Sequence, residues 1–503
     1  MLLIFPPLAK ACEPPAGIAR LAAALVAHNI PCQLLDANLE GQLWLLNQPL
    51  GVVDTWSRRA DKGRTANLER LRDFSTYASP ARYQRAVHDL NRLLAVAAAD
   101  RGIMIGLADY QDARLSPLRS ADLLHAAANP GLNPFFSYFC ARLPELLDGV
   151  TTVGLSLNYL GQALCTFSMA GFIRQHYPAI KIVLGGGLVT SWLQRPGWRS
   201  PFGELFDKLV CGPGEAELLA FLGQHTPQRD PMPPLYDPLP LQDYLAPGLL
   251  LPYSAAGGCY WNRCSFCPEC AEGNAYQPLP LSHIRAELDL LCRYHSPRML
   301  HFLDSAISPA LLRNLAERPP GVPWYGFVRI DEQLADPDFC FALKRSGCAM
   351  LKIGLESGDQ GVLEQMNKGI ELAVAARVLT NLERAGIPVY CYLLFGTPGE
   401  TIVEARRTLD FVVAHQGALT FLNLAIFNMP LNSSDAELYG TEPFYEGDLS
   451  LYTAFRHPHG WHRGAVRRFL DQEFKRHPAV AAIIRNDPPQ FGSNHAPLLI
   501  GIR

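Results

Sequence analysis

Short apolar runs alternate along the chain with stretches whose apolar residues recur at helical spacing. Leu2–Phe5 is apolar and stops at Pro6-Pro7, the pattern of a strand running into a loop. Residues Gly17–His28 then carry apolar side chains every three or four positions, and Cys32–Asp36 reads as the next strand. Strand, helix, strand in that order implies a parallel α/β sheet with right-handed crossovers. The pattern resumes with a strand at Thr152–Leu157, a helix over 161–176 and a strand at Ile182–Leu184 that runs into Gly185-Gly186-Gly187. A further strand at Leu209–Val210 leads through Cys211-Gly-Pro-Gly-Glu215 into a helix at Glu217–Leu222. Open sheets of this kind bind ligands beyond the carboxyl ends of their strands. The loops to watch are therefore Pro6–Gly17, Ser156–Gln162, Gly185–Ser191 and Cys211–Glu215.

From Leu250 the alternation becomes regular. Six strands are predicted, at Leu250–Ala255, Met299–Leu303, Trp324–Ile330, Met350–Leu355, Val389–Phe395 and Thr420–Ile426, with helices between them at 281–294, 309–317, 338–346, 372–385 and 402–414. Six are too few to close an eight-stranded barrel, so a (β/α)6 partial barrel is expected, with its chemistry at the carboxyl ends of the strands. Those ends carry polar residues: Asp304-Ser305, Arg329 and Asp331, Glu356-Ser357, and Gly396-Thr-Pro-Gly-Glu400.

Between these two patterned regions the chain is less regular. Residues 41–150 interrupt the first sheet and read as a helical insertion, with an amphipathic helix at Ala81–Ala98. Pro227–Pro240 has six prolines in fourteen residues and reads as a linker. The expected domains are 1–226 (Rossmann-like, with the insertion), a linker at 227–245, a partial barrel at 246–430 and a small C-terminal cap at 431–503. The cap holds three histidines within Phe455–His462, which read as part of a capping loop, and Tyr452, His459, His462 and His495 are its guesses for substrate contact.

Composition changes this picture little. A net charge of −3 with 18% charged residues gives no reason to expect nucleic acid or an acidic surface as partner. The apolar start is too short for a signal sequence, and no run reaches the roughly 20 apolar residues of a membrane span. With its thiols reduced or metal-bound, the chain is expected in the cytoplasm.

The thirteen cysteines do change it. Four fall within Cys259-Tyr-Trp-Asn-Arg-Cys264-Ser-Phe-Cys267-Pro-Glu-Cys270, directly after the first barrel strand. Soft thiolates this close on one loop suit an iron–sulfur cluster or zinc. The loop offers no histidine and no second ligand pair, as a zinc knuckle would require. Cys259, Cys264 and Cys267 are one ligand set; Cys264, Cys267 and Cys270 are the other.

Cys-Tyr-Trp-x-x-Cys-x-Phe-Cys resembles the cluster loop of the radical S-adenosylmethionine (SAM) superfamily, in the branch with an N-terminal cobalamin-binding-type domain. Most members space the cysteines x3 then x2; here the spacing is x4 then x2. The resemblance implies a [4Fe–4S] cluster on Cys259, Cys264 and Cys267, with Cys270 as alternative ligand. It implies SAM held by Phe266, Asp304, Arg329, Glu356, Ser357 and Leu394, and reductive cleavage of SAM to a 5′-deoxyadenosyl radical. Glu400 reads as structural, at the start of the next helix. The N-terminal loops resemble those that hold a corrinoid, which makes Ser156, Gly185, Gly186, Gly187, Gly214 and Glu215 its contacts. The D-x-H-x-x-G signature of an axial histidine is absent, and a scaffold without cobalamin is the alternative. The implied function is cobalamin-dependent methylation of an unactivated carbon in a natural-product, peptide or lipid intermediate, with flavodoxin or ferredoxin as electron donor. A radical SAM cyclisation or rearrangement without methyl transfer is one alternative; a non-catalytic iron–sulfur or corrinoid sensor is the other.

Overall fold

The computed structural model describes residues 1–51, 54–224, 232–443, 447–488 and 496–502. Two compact units divide the chain at Pro252/Tyr253. The expected linker thus ends inside the first unit, and its residues 227–231 lie outside the described residues, as does His495.

The first unit is built on a five-stranded parallel sheet. Its strands are β1 (Leu2–Phe5), β2 (Gln33–Asp36), β3 (Thr152–Ser156), β4 (Lys181–Gly185) and β5 (Lys208–Leu209), in the order β2-β1-β3-β4-β5. That is the doubly wound order whose topological switch lies between β1 and β3. Both faces are covered, so β1 is buried at every position, as its uniformly apolar sequence requires. The helix Leu160–His176 is buried nearly all round because the insertion packs on its outer side. A Cβ at Gly171 would fall 1.8 Å from the Ala127 carbonyl oxygen, so this crossing of helices exists only with glycine there. Phe167, on the same helix, packs edge-on against Phe202 and Phe206 at 4.8 and 5.2 Å between ring centroids.

Residues between β2 and β3 are mainly helical. Their longest helix, Pro80–Ala98, buries Tyr83, Val87, Leu90 and Leu94 along one face, and a small hairpin joins Ile103–Ile105 to Tyr110–Asp112. Part of the C-terminal segment belongs to this unit rather than to a single cap. Leu449 N–H donates to the Leu118 carbonyl, and Trp192 Nε1–H donates to the Leu449 carbonyl.

The second unit holds the partial barrel apart from Leu250–Pro252 of its first strand, which fall in the first unit. Its strands are β6 (Leu250–Tyr253), β7 (Met299–Phe302), β8 (Trp324–Val328), β9 (Cys348–Glu356), β10 (Val389–Phe395) and β11 (Leu419–Ile426), neighbours in that order with no crossover in rank. All six expected strands are present, shifted by one or two residues at their ends. A register shift between Gly354 and Glu356 marks a bulge at the end of β9, and Glu356 there has φ +67°. Bulges at strand ends re-aim side chains, and a non-glycine residue in the left-handed region is strained.

Candidate functional site

A two-residue hairpin fixes both ends of the cysteine loop. Ala256–Gly257 pairs with Gln277–Pro278, and Leu279 N–H donates to the Ala255 carbonyl. Gly258 has φ +67°, and a Cβ there would lie 2.5 Å from the Ala275 oxygen, so the chain can turn into the loop only with glycine. Asp304, at the end of β7, accepts from the Ala255 N–H at 3.1 Å and from the Ala256 N–H as well. Burial, the largest influence on that carboxyl, pushes it up to about 6 against these bonds. The residue expected at the amino group of SAM therefore has its carboxylate engaged at the base of the loop.

Within the loop, Cys264 is buried and Cys259, Cys267 and Cys270 are half-buried. Burial raises the Cys264 thiol, while the Lys368 and Arg329 cations lower it. The Cys267 thiol is pushed up to about 11, chiefly by burial, and faces the backbone N–H groups of Cys270 and Glu269. Cys259 directly follows the turn at Gly258, and the Cys267 N–H donates to the Cys264 carbonyl at 3.2 Å. The Cys270 thiol instead donates to the Asn262 carbonyl at 3.6 Å. Among the described residues no three His, Cys, Asp or Glu side chains already stand close enough to hold a metal ion. The donor chemistry nonetheless fits a cluster: four thiols on one loop, one of them beside two cations that favour its thiolate form.

Those cations belong to a compact arrangement. The Arg329 guanidinium lies 4.1 Å over the Trp261 ring, reaches Cys264 Sγ at 3.9 Å and donates to the Lys368 carbonyl at 2.5 Å. Trp261 Nε1–H donates to the Asn367 carbonyl, and its ring occupies the space a Cβ on Gly369 would need. Lys368 Nζ is 2.7 Å from Glu356 Oε1 and 5.3 Å from the centroid of Phe266. A Cβ at Gly354 would lie 2.5 Å from Glu356 Oε1 and 2.8 Å from Lys368 Nζ, so this glycine makes room for the pair.

The structure thus brings Cys264, Phe266, Arg329 and Glu356 together, and adds Lys368 and Trp261, to which the sequence reading gave no role. Leu394 lies on the face of β10 that carries Tyr390 and Tyr392. Ser357 is turned away from this group. It is fully buried, its hydroxyl bonds the Thr408 hydroxyl at 3.2 Å, and it accepts from the Asp359 N–H. Ser357 lies just beyond the strand, after the left-handed turn at Glu356.

Glu400 is structural, as expected, but in an unexpected way. Its Oε2 accepts from the Gly396 N–H and from Trp461 Nε1–H, which ties the end of β10 to the C-terminal segment, and burial pushes the carboxyl up to about 7. A carboxyl raised on folding from about 4.5 gives stability that is fully present below pH 4.5 and lost as pH rises through 7. Between pH 5 and 8 the native chain is expected to lose roughly 3 kcal/mol more stability than Glu400→Gln. Urea unfolding across that range measures this, and parallel pH profiles for the two proteins would refute it.

In the first unit, Ser156 and Gly185 are register partners at the ends of β3 and β4. Asn158 Nδ2–H donates to Ser156 Oγ, and Asn158 Oδ1 accepts from the Gly187 N–H at 3.0 Å. Gly186 has φ +110°, and a Cβ there would lie 2.3 Å from the Leu157 oxygen, so this glycine serves a tight backbone crossing. Gly214, φ +90°, precedes the helix that opens at Glu215, whose carboxyl is raised by burial and lowered by its own N–H and by Arg20. Tyr159 and Leu160 lie 59% and 40% exposed beside Ser156, an uncovered apolar edge where the sheet's loops converge.

In the C-terminal segment, His457 Nε2–H donates to the Thr397 carbonyl, while its Nδ1 accepts from the His459 and Trp461 N–H groups. The histidine cluster therefore closes a loop. Tyr452 is half-buried in a strand, and His459 and His462 are exposed. Among the described residues no helix is long and apolar enough to cross a membrane.

Residues 253–412 match the radical SAM superfamily profile. The bacteriochlorophyllide d C-12(1)-methyltransferase of Chlorobaculum tepidum is 28% identical over 179 residues, 33% of this chain and 38% of that one. An uncharacterized methyltransferase of Pyrococcus horikoshii is 26% identical over 191 residues, 35% and 40% of the two chains. These matches span about two fifths of the length of each relative. Among solved structures, the radical SAM methyltransferase TsrM of Kitasatospora setae, with cobalamin and a [4Fe–4S] cluster bound, superposes with a TM-score of 0.50 at 17% identity over 86% of this chain and 75% of that one. The cobalamin-dependent radical SAM enzyme OxsB also gives 0.50, at 14% identity over 67% and 60% of the two chains. At such identities the likeness is one of fold. The second unit of this chain carries a radical SAM domain, residues 253–412.

Proposed function

We propose that this chain is a radical SAM enzyme that methylates an unactivated carbon of a natural-product, peptide or lipid intermediate, with cobalamin as methyl carrier. The observation that carries the radical SAM part is the cysteine loop with Cys259, Cys264 and Cys267, inside the matched residues 253–412, with the Arg329 guanidinium 3.9 Å from Cys264 Sγ. A [4Fe–4S] cluster on these thiols supplies one-electron cleavage of SAM, and cobalamin supplies a transferable methyl group. The chain's own residues prepare the place. Arg329 and Lys368 stabilise negative charge at Cys264, and Trp261 covers one face of Arg329. Asp304 fixes the entry to the loop through two backbone N–H groups. Glu356, re-aimed by the bulge and braced by Lys368, is the polar group for the ribose or amino-acid part of SAM, and Phe266 is the apolar surface for adenine.

Cobalamin is assigned to the loops at Ser156, Gly185–Gly187 and Gly214-Glu215. The exposed Tyr159 and Leu160 beside them support this, since a macrocycle needs an apolar platform. A flavodoxin or ferredoxin is the expected electron donor.

Anaerobic reconstitution with iron, sulfide, SAM and hydroxocobalamin tests the reading. Absorption spectra report which cofactors bind, and chromatography of the reduced mixture is expected to show 5′-deoxyadenosine and S-adenosylhomocysteine. Deoxyadenosine with no gain of CH2 in a product would move the chain to rearrangement chemistry. Absence of deoxyadenosine would remove the enzyme reading.

A further inference from the structure

The cysteine loop rests on the end of a short helix, Gln360–Gln365, and that end is built without help from the loop. Asp359 caps the start of the helix, its Oδ1 accepting from the Val362 N–H at 3.0 Å. At the other end Asn367 is left-handed, φ +50°, and the Asn367 and Lys368 N–H groups donate back to the Glu364 and Leu363 carbonyls. This is a Schellman closure, and it spends the N–H groups of the turn on the helix itself. The Gln360 side chain secures the far side, with Nε2–H donating to the Ile370 carbonyl and Oε1 accepting from the Leu372 N–H.

The closure leaves three successive carbonyls to accept from elsewhere. The Ser265 N–H donates to Met366 at 3.0 Å, Trp261 Nε1–H to Asn367 at 3.2 Å, and Arg329 Nη2–H to Lys368 at 2.5 Å. The same guanidinium stacks on Trp261 at 4.1 Å and reaches Cys264 Sγ at 3.9 Å. Gly369 completes the fit: it has φ +64°, and a Cβ there would lie 2.1 Å from the Trp261 ring. Two of the three bonds hold residues 261–265 of the loop, and the third holds the cation at Cys264. None of them involves a thiol.

We propose that the turn Met366–Gly369 is a template that fixes the middle of the cysteine loop, and Cys264 with it, before metal arrives, with Asn367 and Gly369 as its positioning residues. That the thiols so placed receive a cluster rests on the proposed function; that the metal-free loop is held does not. A loop already ordered loses less conformational freedom when its ligands are engaged, so the template speeds cluster assembly. It also fixes a positive charge beside one ligand sulfur, which raises a cluster's reduction potential.

Hydrogen exchange of the metal-free full chain, read by mass spectrometry on overlapping peptides that isolate Ser265, tests the first claim. The Ser265 N–H is expected to exchange about tenfold or more slowly than an unstructured amide, the effect of one maintained hydrogen bond, and Gly369→Ala is expected to remove that protection. Gly386→Ala controls for backbone strain, since Gly386 has φ +66° and a Cβ there meets nothing within 4 Å. That variant is expected to leave Ser265 protected. Trp261→Leu is expected to act like Gly369→Ala, and the double variant to be no worse than Trp261→Leu, because the offending contact is already gone. Should Gly369→Ala fail to fold, the native chain and Trp261→Leu decide the matter. After anaerobic reconstitution, Gly369→Ala is expected to load iron more slowly and, like Arg329→Gln, to give a more negative midpoint potential, whereas Gly386→Ala matches the native chain. Unprotected Ser265 in the native chain, equal effects of Gly369→Ala and Gly386→Ala, or an additive double variant would overturn the inference. A potential indifferent to Gly369→Ala would overturn the link from the turn to Cys264. The exchange measurement needs no cluster, so its failure is separable from failure to form deoxyadenosine.

Discussion

Cys259→Ala, Cys264→Ala and Cys267→Ala are each expected to reduce the iron retained after anaerobic reconstitution and desalting by about tenfold or more, whereas Cys270→Ala stays near the native level. Loss of one of three protein ligands exceeds the effect of losing an outer partner, which is already about 10–100-fold in metal affinity. The contrast between Cys259 and Cys270 is the informative part, because the spacing alone allows either to join Cys264 and Cys267. In the fold, the Cys270 thiol is turned to the Asn262 carbonyl, whereas Cys259 directly follows the turn at Gly258 that opens the loop. Iron content with visible absorption decides it. If Cys270→Ala loses iron and Cys259→Ala keeps it, the ligand set shifts by one position along the loop and Cys259 becomes a spare thiol.

Lys368→Met is expected to destabilise the second unit by about 3–5 kcal/mol, the range for breaking one side of a buried ion pair. The side chains of Lys368 and Glu356 are only 8% and 12% exposed, and removal of the ammonium leaves a carboxylate stranded beside the barrel strands. The strained backbone at Glu356 adds to this, since it persists only while its surroundings hold it. The double variant Lys368→Met/Glu356→Gln is expected to regain most of the loss, because no unpaired charge remains. Denaturant unfolding read on a probe in the second unit measures both, with Lys475→Met at an exposed pair as the surface control. A single-variant effect no larger than that control would mean that water, rather than Lys368, compensates Glu356.

Much of this architecture is legible in the chain because its signals are local. Strand and helix periods stand out wherever both faces of a sheet are covered, and four thiols in one loop are visible without any fold. Positions whose meaning depends on distant partners are different. Lys368 follows a short helix, and nothing around it in sequence points back to Glu356; only the bulge after Gly354 brings the two together. Asp304 reads as a strand-end carboxylate, yet its partner N–H lies 49 residues away. Gly186 looks like a ligand-approach glycine until Leu157 is seen beneath it. The C-terminal segment has no strong period at all, so its division between the two units is not readable in advance.

The hairpin at the foot of the cysteine loop has a consequence for how such loops vary. Because Ala256–Gly257 and Gln277–Pro278 fasten both ends, a change in residue number between them need not propagate into the barrel. Between Cys259 and Cys264 the chain turns at Asn262, which adopts a left-handed conformation, φ +43°, one of the few residue types that tolerates it. Slack confined between two fixed posts lets the number of residues between the cysteines change while the strand before them stays in register.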